Sequence, residues 1–403
     1  VPGALKGIAV LVAFAIVFLV AAVVGGGGAE NGAEEPSTLT VEAPPPAESE
    51  TPPAPAAEEL GFPSVATNNT TRVGGSDPTA TAAAVALAVY PARTPAQRPA
   101  AVTLVEESSW QDAVAAAVLM ATPIRAPLLV TSGGELPEAT SQALESLAPQ
   151  GDKDTGGAQV FAIGAAVAPE DLKATAIEGS NSAATAAALI GLRNRLLGGN
   201  PKHFVLASEA KPEFAAPAAA WAARSGDPVL FTAAAKLPAA TAKALERNPA
   251  TPVYVLGPSA AISSDVFREV SEIGNPVRRV SGETPVDTAI ALARYSSGGF
   301  GWNINDPGHG FVIARSDSPL EAAVAAPLSA SGTWGPLLLT DGPGTLPKAL
   351  REYLLDVKPG YSTDPTRAFY NHVWVIGDQG AIDVSQQAEI DQLAELTRIG
   401  GER

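Results

Sequence analysis

The chain has 403 residues, 46% hydrophobic and 17% charged, a composition that suits a globular protein and leaves room for two or three domains. It contains no cysteine, which excludes disulfides, thiolate metal sites and cysteine nucleophiles. Its three histidines, His203, His309 and His372, lie too far apart for an i, i+4 ligand pair, so neither a zinc centre nor another cofactor is expected. The formal charge is −16; residues 25–60 hold eight glutamates and no Lys or Arg, Lys6 precedes them, and −9 remains for the rest, which disfavours binding to nucleic acid.

Residues 8–24, IAVLVAFAIVFLVAAVV, are apolar and uncharged. With their neighbours they reach the ~20 residues that cross a bilayer, so a single transmembrane helix is expected within 1–25. Lys6 on one side and the acidic stretch on the other place the N-terminus in the cytoplasm and the remainder outside. A cleaved signal segment is the alternative, although its apolar region should span about 7–15 residues and end at a small-x-small site. A pilin-like helix is a third reading, but Leu5 stands where its acidic residue should be. The first residue is Val, consistent with a GTG start or with processing.

Residues 26–64 are rich in Pro, Ala and Glu and lack apolar periodicity. Fixed proline backbones and repelling glutamates give a solvated linker, which in a polyproline-like state reaches on the order of 100 Å.

The remainder repeats itself. GSDPTATAAAVALAV starts at Gly75, GSNSAATAAALIGL at Gly179 and GETPVDTAIALAR at Gly282, each with a Thr-Ala pair six residues on: Thr81-Ala82, Thr185-Ala186 and Thr288-Ala289. Apolar runs follow at Val102, Phe204 and Phe311, then PLLVT, PVLFT and PLLLT, then a Leu-Pro pair, then VFAIG, VYVLG and VWVIG. Five landmarks in one order, three times over, define units at 65–178, 179–281 and 282–403. Each reads as helix and strand in alternation, beginning and ending on a helix and containing three strands. Such alternation implies a parallel sheet covered on both faces. The Ala-rich composition fits helices packed closely on thin strands, and fits a GC-rich genome equally well.

These residues resemble the cell wall-binding repeat 2 family of Gram-positive bacteria. Arg72-Val73-Gly74-Gly75, the three Thr-Ala pairs, Asp112-Ala113, the PLLVT-type strands and the three strands ending in Gly carry the resemblance over residues 71–403. The family's D-R-Y segment is replaced by Asp77-Pro78-Thr79, Asn181-Ser182-Ala183 and Glu283-Thr284-Pro285, and its later Asp is kept as Asp112, lost at Phe214 and returned as Glu321. The resemblance implies three tandem Rossmann-like or flavodoxin-like α/β units about a pseudo-threefold axis, holding a surface protein on an anionic wall glycopolymer. The closing RIGGER, Arg398–Arg403, echoes the earlier unit starts, either as the closing edge of the third unit or as a sign that the chain is cut short.

Strand C-termini gather ligands in open α/β sheets. Thr131, Thr232 and Thr340 end one strand per unit, where a hydroxyl serves either a sugar or phosphate oxygen or a local cap. Asp112 and Glu321 open helices, as helix-end partners or as ligand or ion contacts. Arg315 follows FVIA but has Glu106 and Ser208 as counterparts, and Arg278-Arg279 stands near the junction of the second and third units. A body of −9 meets a polyanion through a local basic groove or bridging divalent cations, or else takes a neutral glycan. No G-x-S-x-G elbow, phosphate loop or H-E-x-x-H occurs, and GPSAA at Gly257 and GGFGWN at Gly298 lack the spacing of nucleotide-binding loops. The expectation is a non-catalytic protein of the cell envelope, tethered to the membrane and bound to wall polysaccharide. Alternatives are a surface protein whose repeats self-associate in a lattice or filament, and a solute-binding receptor.

Overall fold

The computed structural model describes residues 65–399. The apolar stretch at 8–24 and the acidic linker at 26–64 lie outside them, and among the described residues no helix is long and apolar enough to cross a membrane.

A short antiparallel hairpin, β1 (Val65–Ala66) and β2 (Thr70–Val73), leads into α1 (Pro78–Val89), β3 (Val102–Glu106), α2 (Trp110–Ala116), β4 (Leu128–Thr131), α3 (Glu138–Leu147), β5 (Val160–Ile163) and β6 (Ala174–Ile177). The second run is α4 (Ser182–Leu197), β7 (Phe204–Ser208), α5 (Pro212–Ser225), β8 (Val229–Thr232), α6 (Ala239–Glu246), β9 (Val253–Leu256), α7 (Ser264–Glu272) and β10 (Val277–Val280). The third is α8 (Pro285–Arg294), β11 (Gly310–Arg315), α9 (Pro319–Val324), α10 (Ala326–Ser329), β12 (Leu337–Thr340), α11 (Lys348–Asp356), β13 (Gly360–Tyr361), β14 (His372–Ile376), α12 (Val384–Ala394) and β15 (Thr397–Arg398).

Three sheets result, ordered β4-β3-β5-β6, β8-β7-β9-β10 and β12-β11-β14-β2, with β1 added to the edge of the last. The four main strands of each sheet are parallel. In every sheet the first strand lies between the second and third, the order of flavodoxin-like folds. The three apolar strands of each unit are where the sequence puts them. The fourth strand, β6, β10 or β2, was not legible, because none of the three reads as an apolar run: β6 and β10 lie at a sheet edge, β6 with the pattern exposed, half-buried, exposed, buried, and β2, covered by β1, reads TTRV. The closing helix of each unit appears as α7 and α12 but not in the first unit. There AAVAPEDL offers no N-cap like Ser263 or Asp383, and Pro169 disfavours a helical residue before it.

The fourth strands join the units. β6 leads into α4, β10 into α8, and β2, which completes the third sheet, into α1. The edge of the third sheet is therefore closed from the N-terminal side of the body: Thr70–Val73 pairs with Val373–Ile376. The RIG segment does not close that edge; β15 pairs with β13 in a separate two-stranded ladder.

Helix packing repeats the cycle. The central helices α2, α5 and α9 each contact the other two, and α1 packs on α9, α4 on α2 and α8 on α5. Alanines make this possible: Ala113, Ala115, Ala116, Ala215, Ala216, Ala218 to Ala220, Ala322 and Ala323 are buried at 0–2% exposure. Their small side chains let the helix axes approach, so the Ala bias has a packing use at the centre. Between the second and third units, the turn at Ser297–Phe300 carries Gly298 onto His203 and Phe300 onto Tyr254, with rings stacked at 3.7 Å.

Candidate functional site

The strongest repeated signal in the sequence is structural. In all three units the glycine N–H donates to the hydroxyl of the threonine six residues on: Gly75 to Thr81 at 3.2 Å, Gly179 to Thr185 at 3.1 Å and Gly282 to Thr288 at 3.0 Å. A Cβ on these glycines would sit 2.2–2.3 Å from atoms of the following helix, so only glycine admits the approach. Asp77, Asn181 and Thr284 cap the same three helices through backbone N–H groups. The cap of the third unit is thus Thr284, and Glu283 precedes it.

The crevice between the first and third strands of such a sheet, at their C-terminal ends, is where ligands gather. Each crevice is occupied differently. In the first, Asp112 is buried against Gly164, whose Cβ would lie 2.2 Å from Asp112 Oδ2. Asp112 Oδ1 has no hydrogen-bond partner, and burial pushes this carboxyl above its ordinary range against the opposing pull of Ser109. In the second, Phe214 packs on Gly257. In the third, half-buried Glu321 accepts from Thr81 of the first unit at 3.3 Å. Burial raises its carboxyl, Thr81 opposes, and the nearby charges of Asp378 and Asp77 add to the rise.

Around these crevices the helix N-termini converge. A groove of about 440 Å³ is lined by Asp77, Glu107, Trp110, Ser318 and Glu321, where α1, α2 and α9 begin. A second, of about 240 Å³, lies among Pro212, Glu213, Pro285, Asp317 and Pro319, where α5, α8 and α9 begin. Both join two units, and their charged residues are acidic. Among the described residues no cluster of three or more His, Asp or Glu has metal-holding geometry.

The eight residues singled out from sequence divide among the three sheets, and no two of them share a hydrogen bond or ion pair. Thr131, Thr232 and Thr340 are fully buried and bonded internally. Thr131 donates to Glu106 at 2.6 Å, Thr232 to the carbonyls of Ala233 and Lys236, and Thr340 to Gln386 at 3.3 Å. Arg279 donates to the carbonyls of Gly257 at 2.7 Å and Ile262 at 2.8 Å, clamping the turn after β9. Arg72 does the same after β14, and Ala176 occupies that place in the first unit. Arg315 forms a two-pronged pair with Asp317 at 3.0 and 2.6 Å and reaches the Ala381 carbonyl at 3.3 Å. Arg278 is exposed on β10, without an ion pair among the described residues. Of the first groove's lining the sequence singled out Glu321; Trp110 and Ser318 were missed, because they and Asp77 meet only once the units close.

Comparison with known proteins agrees with this architecture. The family described as cell wall binding domain 2 matches residues 72–169, 176–267 and 279–387. The chain is 27% identical over 233 residues to N-acetylmuramoyl-L-alanine amidase LytC of Bacillus subtilis (strain 168), spanning 57% of this chain and 44% of LytC. It shares its fold with Cwp6 from Clostridium difficile, at TM-score 0.64, 18% identity, 81% of this chain and 48% of that one. The same holds for Cwp8 from Clostridium difficile, at TM-score 0.61, 19% identity, 81% of this chain and 52% of that one. The chain thus spans about half the length of each relative or less.

Proposed function

We propose, because the chain belongs to the cell wall binding domain 2 family, that its three-unit body binds a cell-wall glycopolymer and holds the protein in the cell envelope without chemistry of its own. The observation that carries the reading is that the family match falls on all three units. The cyclic contacts of the central helices support a pseudo-threefold arrangement of the units. Such an arrangement offers a polymer several related junctions instead of one deep pocket. Residues 8–24 act in this reading as the membrane anchor and residues 26–64 as the spacer. LytC is an amidase, and its activity is not carried over to a chain that spans under half its length.

Of the eight candidate contacts, Glu321, Arg278 and Arg315 are the ones offered to the polymer directly. Asp112, Arg279, Thr131, Thr232 and Thr340 shape the crevice walls behind them. The acidic groove walls favour a neutral glycan segment or a polyanion bridged by divalent cations. The test is retention of the full chain on purified cell-wall material with and without Ca²⁺. Retention in either condition is expected, and a chain that washes through in both overturns the reading.

A further inference from the structure

The opposite end of the third sheet, at the strand N-termini, carries a feature that the strand C-termini do not. β14, β11 and β12 are parallel neighbours, so the loops entering them lie side by side. Those loops bring Phe369 and Tyr370, then His309, then Trp334, in that lateral order. Phe369 is 70% exposed, Tyr370 54% and Trp334 37%, in a body that buries most of its large apolar side chains. The row is continuous: the His309 ring lies 6.0 Å from Trp334, and Phe369 rests against Gly308, whose Cβ would sit 3.1 Å from that of Phe369. From Phe369 to Trp334 is two strand spacings, about 10 Å, the reach of two sugar rings.

The row is held rigidly. Asn371, 4% exposed, accepts from the backbone N–H groups of Gly308 at 2.8 Å and His309 at 3.2 Å and donates to Val357 O at 2.8 Å. Tyr370 is fixed by its hydroxyl on the Pro365 carbonyl at 2.9 Å. Trp334 stacks on Trp302 with centroids 6.3 Å apart, and the Arg224 guanidinium lies 4.2 Å from its ring centroid. Neither Arg224 nor Arg367, two residues before Phe369, has an ion pair among the described residues. By contrast, Arg294 pairs with Asp356, Arg315 with Asp317 and Arg351 with Glu389.

We propose that this row is a saccharide-stacking platform for the wall glycopolymer. Pyranose rings lie on Phe369 and Tyr370 and along the exposed edge of Trp334, and anionic substituents meet the guanidinium groups of Arg224 and Arg367. Aromatic faces take the C–H face of a sugar at low entropy cost because their rings are already fixed. An unpaired guanidinium matches the planar oxygens of a phosphate or carboxylate. A narrow strand fits better than a second copy of the chain. Three partly exposed rings present roughly 300–400 Å², against the ~800 Å² per partner of a stable protein interface.

The platform rests on the wall-binding reading, and the experiment separates the two. Soluble glycopolymer purified from Bacillus subtilis cell walls is titrated calorimetrically into the full chain, Trp334→Ala, Trp334→Phe and Phe369→Ala/Tyr370→Ala. Unchanged thermal unfolding and a loss of about tenfold or more in affinity are expected for both alanine variants, with Trp334→Phe close to the parent. Should Trp334→Ala unfold, the double variant of the two most exposed rings decides alone. Parent-like affinity in the alanine variants overturns the platform and leaves wall binding standing. A parent that does not bind overturns both. Loss of concentration-dependent self-association with unchanged polymer affinity also overturns the platform and assigns the row to a second copy.

Discussion

Arg72 and Gln387 lie 315 residues apart in sequence and share one buried contact: the Arg72 Nε and Nη2 groups both donate to Gln387 Oε1, at 3.1 and 2.8 Å. The same guanidinium donates to the carbonyls of Gly377, Asp378 and Ile382 at 3.0, 2.7 and 2.6 Å, and Gln387 returns a bond to Thr70 at 2.9 Å. Arg72 is 1% exposed. It is the clasp by which β2, at the start of the body, is locked into the last sheet.

Arg72→Ala leaves two buried carbonyls, a part-buried one and a buried amide oxygen without their donor. A loss of about 3–5 kcal/mol is expected, read from chemical denaturation. Arg279→Ala removes only two carbonyl bonds at a half-buried site and is expected to cost about 1–2 kcal/mol. Equal costs would contradict the clasp.

Closure by β2 also makes a prediction in trans. A chain lacking residues 1–75 exposes the edge of β14, where Val373–Ile376 lose their partners Thr70–Val73. It is expected to self-associate, and a peptide of residues 65–75 is expected to restore a monomer by light scattering. No effect of the peptide would place the closure elsewhere.

His203 sits between two atoms that only accept. Its Nδ1 meets Asp227 Oδ2 at 3.0 Å and its Nε2 meets the Gly298 carbonyl at 3.1 Å, so both contacts are hydrogen bonds only when the ring carries both protons. The Asp227 bond raises the His203 pKa above 6.5, against burial and the Lys202 charge. The stability it adds is complete below pH 6.5 and is lost as pH rises through the folded value. Half-buried His372 runs the other way: desolvation lowers its pKa, and its contribution fades as pH falls from 6.5 through the lowered value. The difference between parent and His203→Gln isolates His203: about 1–3 kcal/mol below pH 6, shrinking at higher pH. A difference that is flat with pH would contradict the doubly protonated ring.

Asp112 works against the fold at neutral pH. Its raised pKa means that stability falls as pH climbs from 3.8 through the folded value and stays lower above it. Asp112→Asn is expected to raise stability at pH 7 by about 1 kcal/mol, with the gain vanishing in acid. Gly164→Ala, at φ +61° with its Cβ 2.2 Å from Asp112 Oδ2, is expected to cost about 2 kcal/mol or more.

Much of the fold was legible because three copies of one pattern average out local ambiguity. PLLVT, PVLFT and PLLLT are strands buried at every position. The Gly-to-Thr spacing of six is a closed hydrogen-bonded loop, although its role is architectural. The fourth strands were hidden because edge residues such as Ala174 and Ala176 are exposed and carry no apolar run. The site was less legible. Thr131, Thr232 and Thr340 stand at strand ends as expected, but sequence does not reveal that Glu106, Lys236 and Gln386 engage their hydroxyls. Phe369, His309 and Trp334 come from three loops without periodicity, and only the strand order brings them into line.

The most direct measurement is cosedimentation of the full chain with native cell walls and with the same walls stripped of their glycopolymer by mild acid. The chain should pellet with the native walls and stay in solution with the stripped ones. Equal pelleting with both would assign the binding to the peptidoglycan mesh, and pelleting with neither would remove wall attachment from the account.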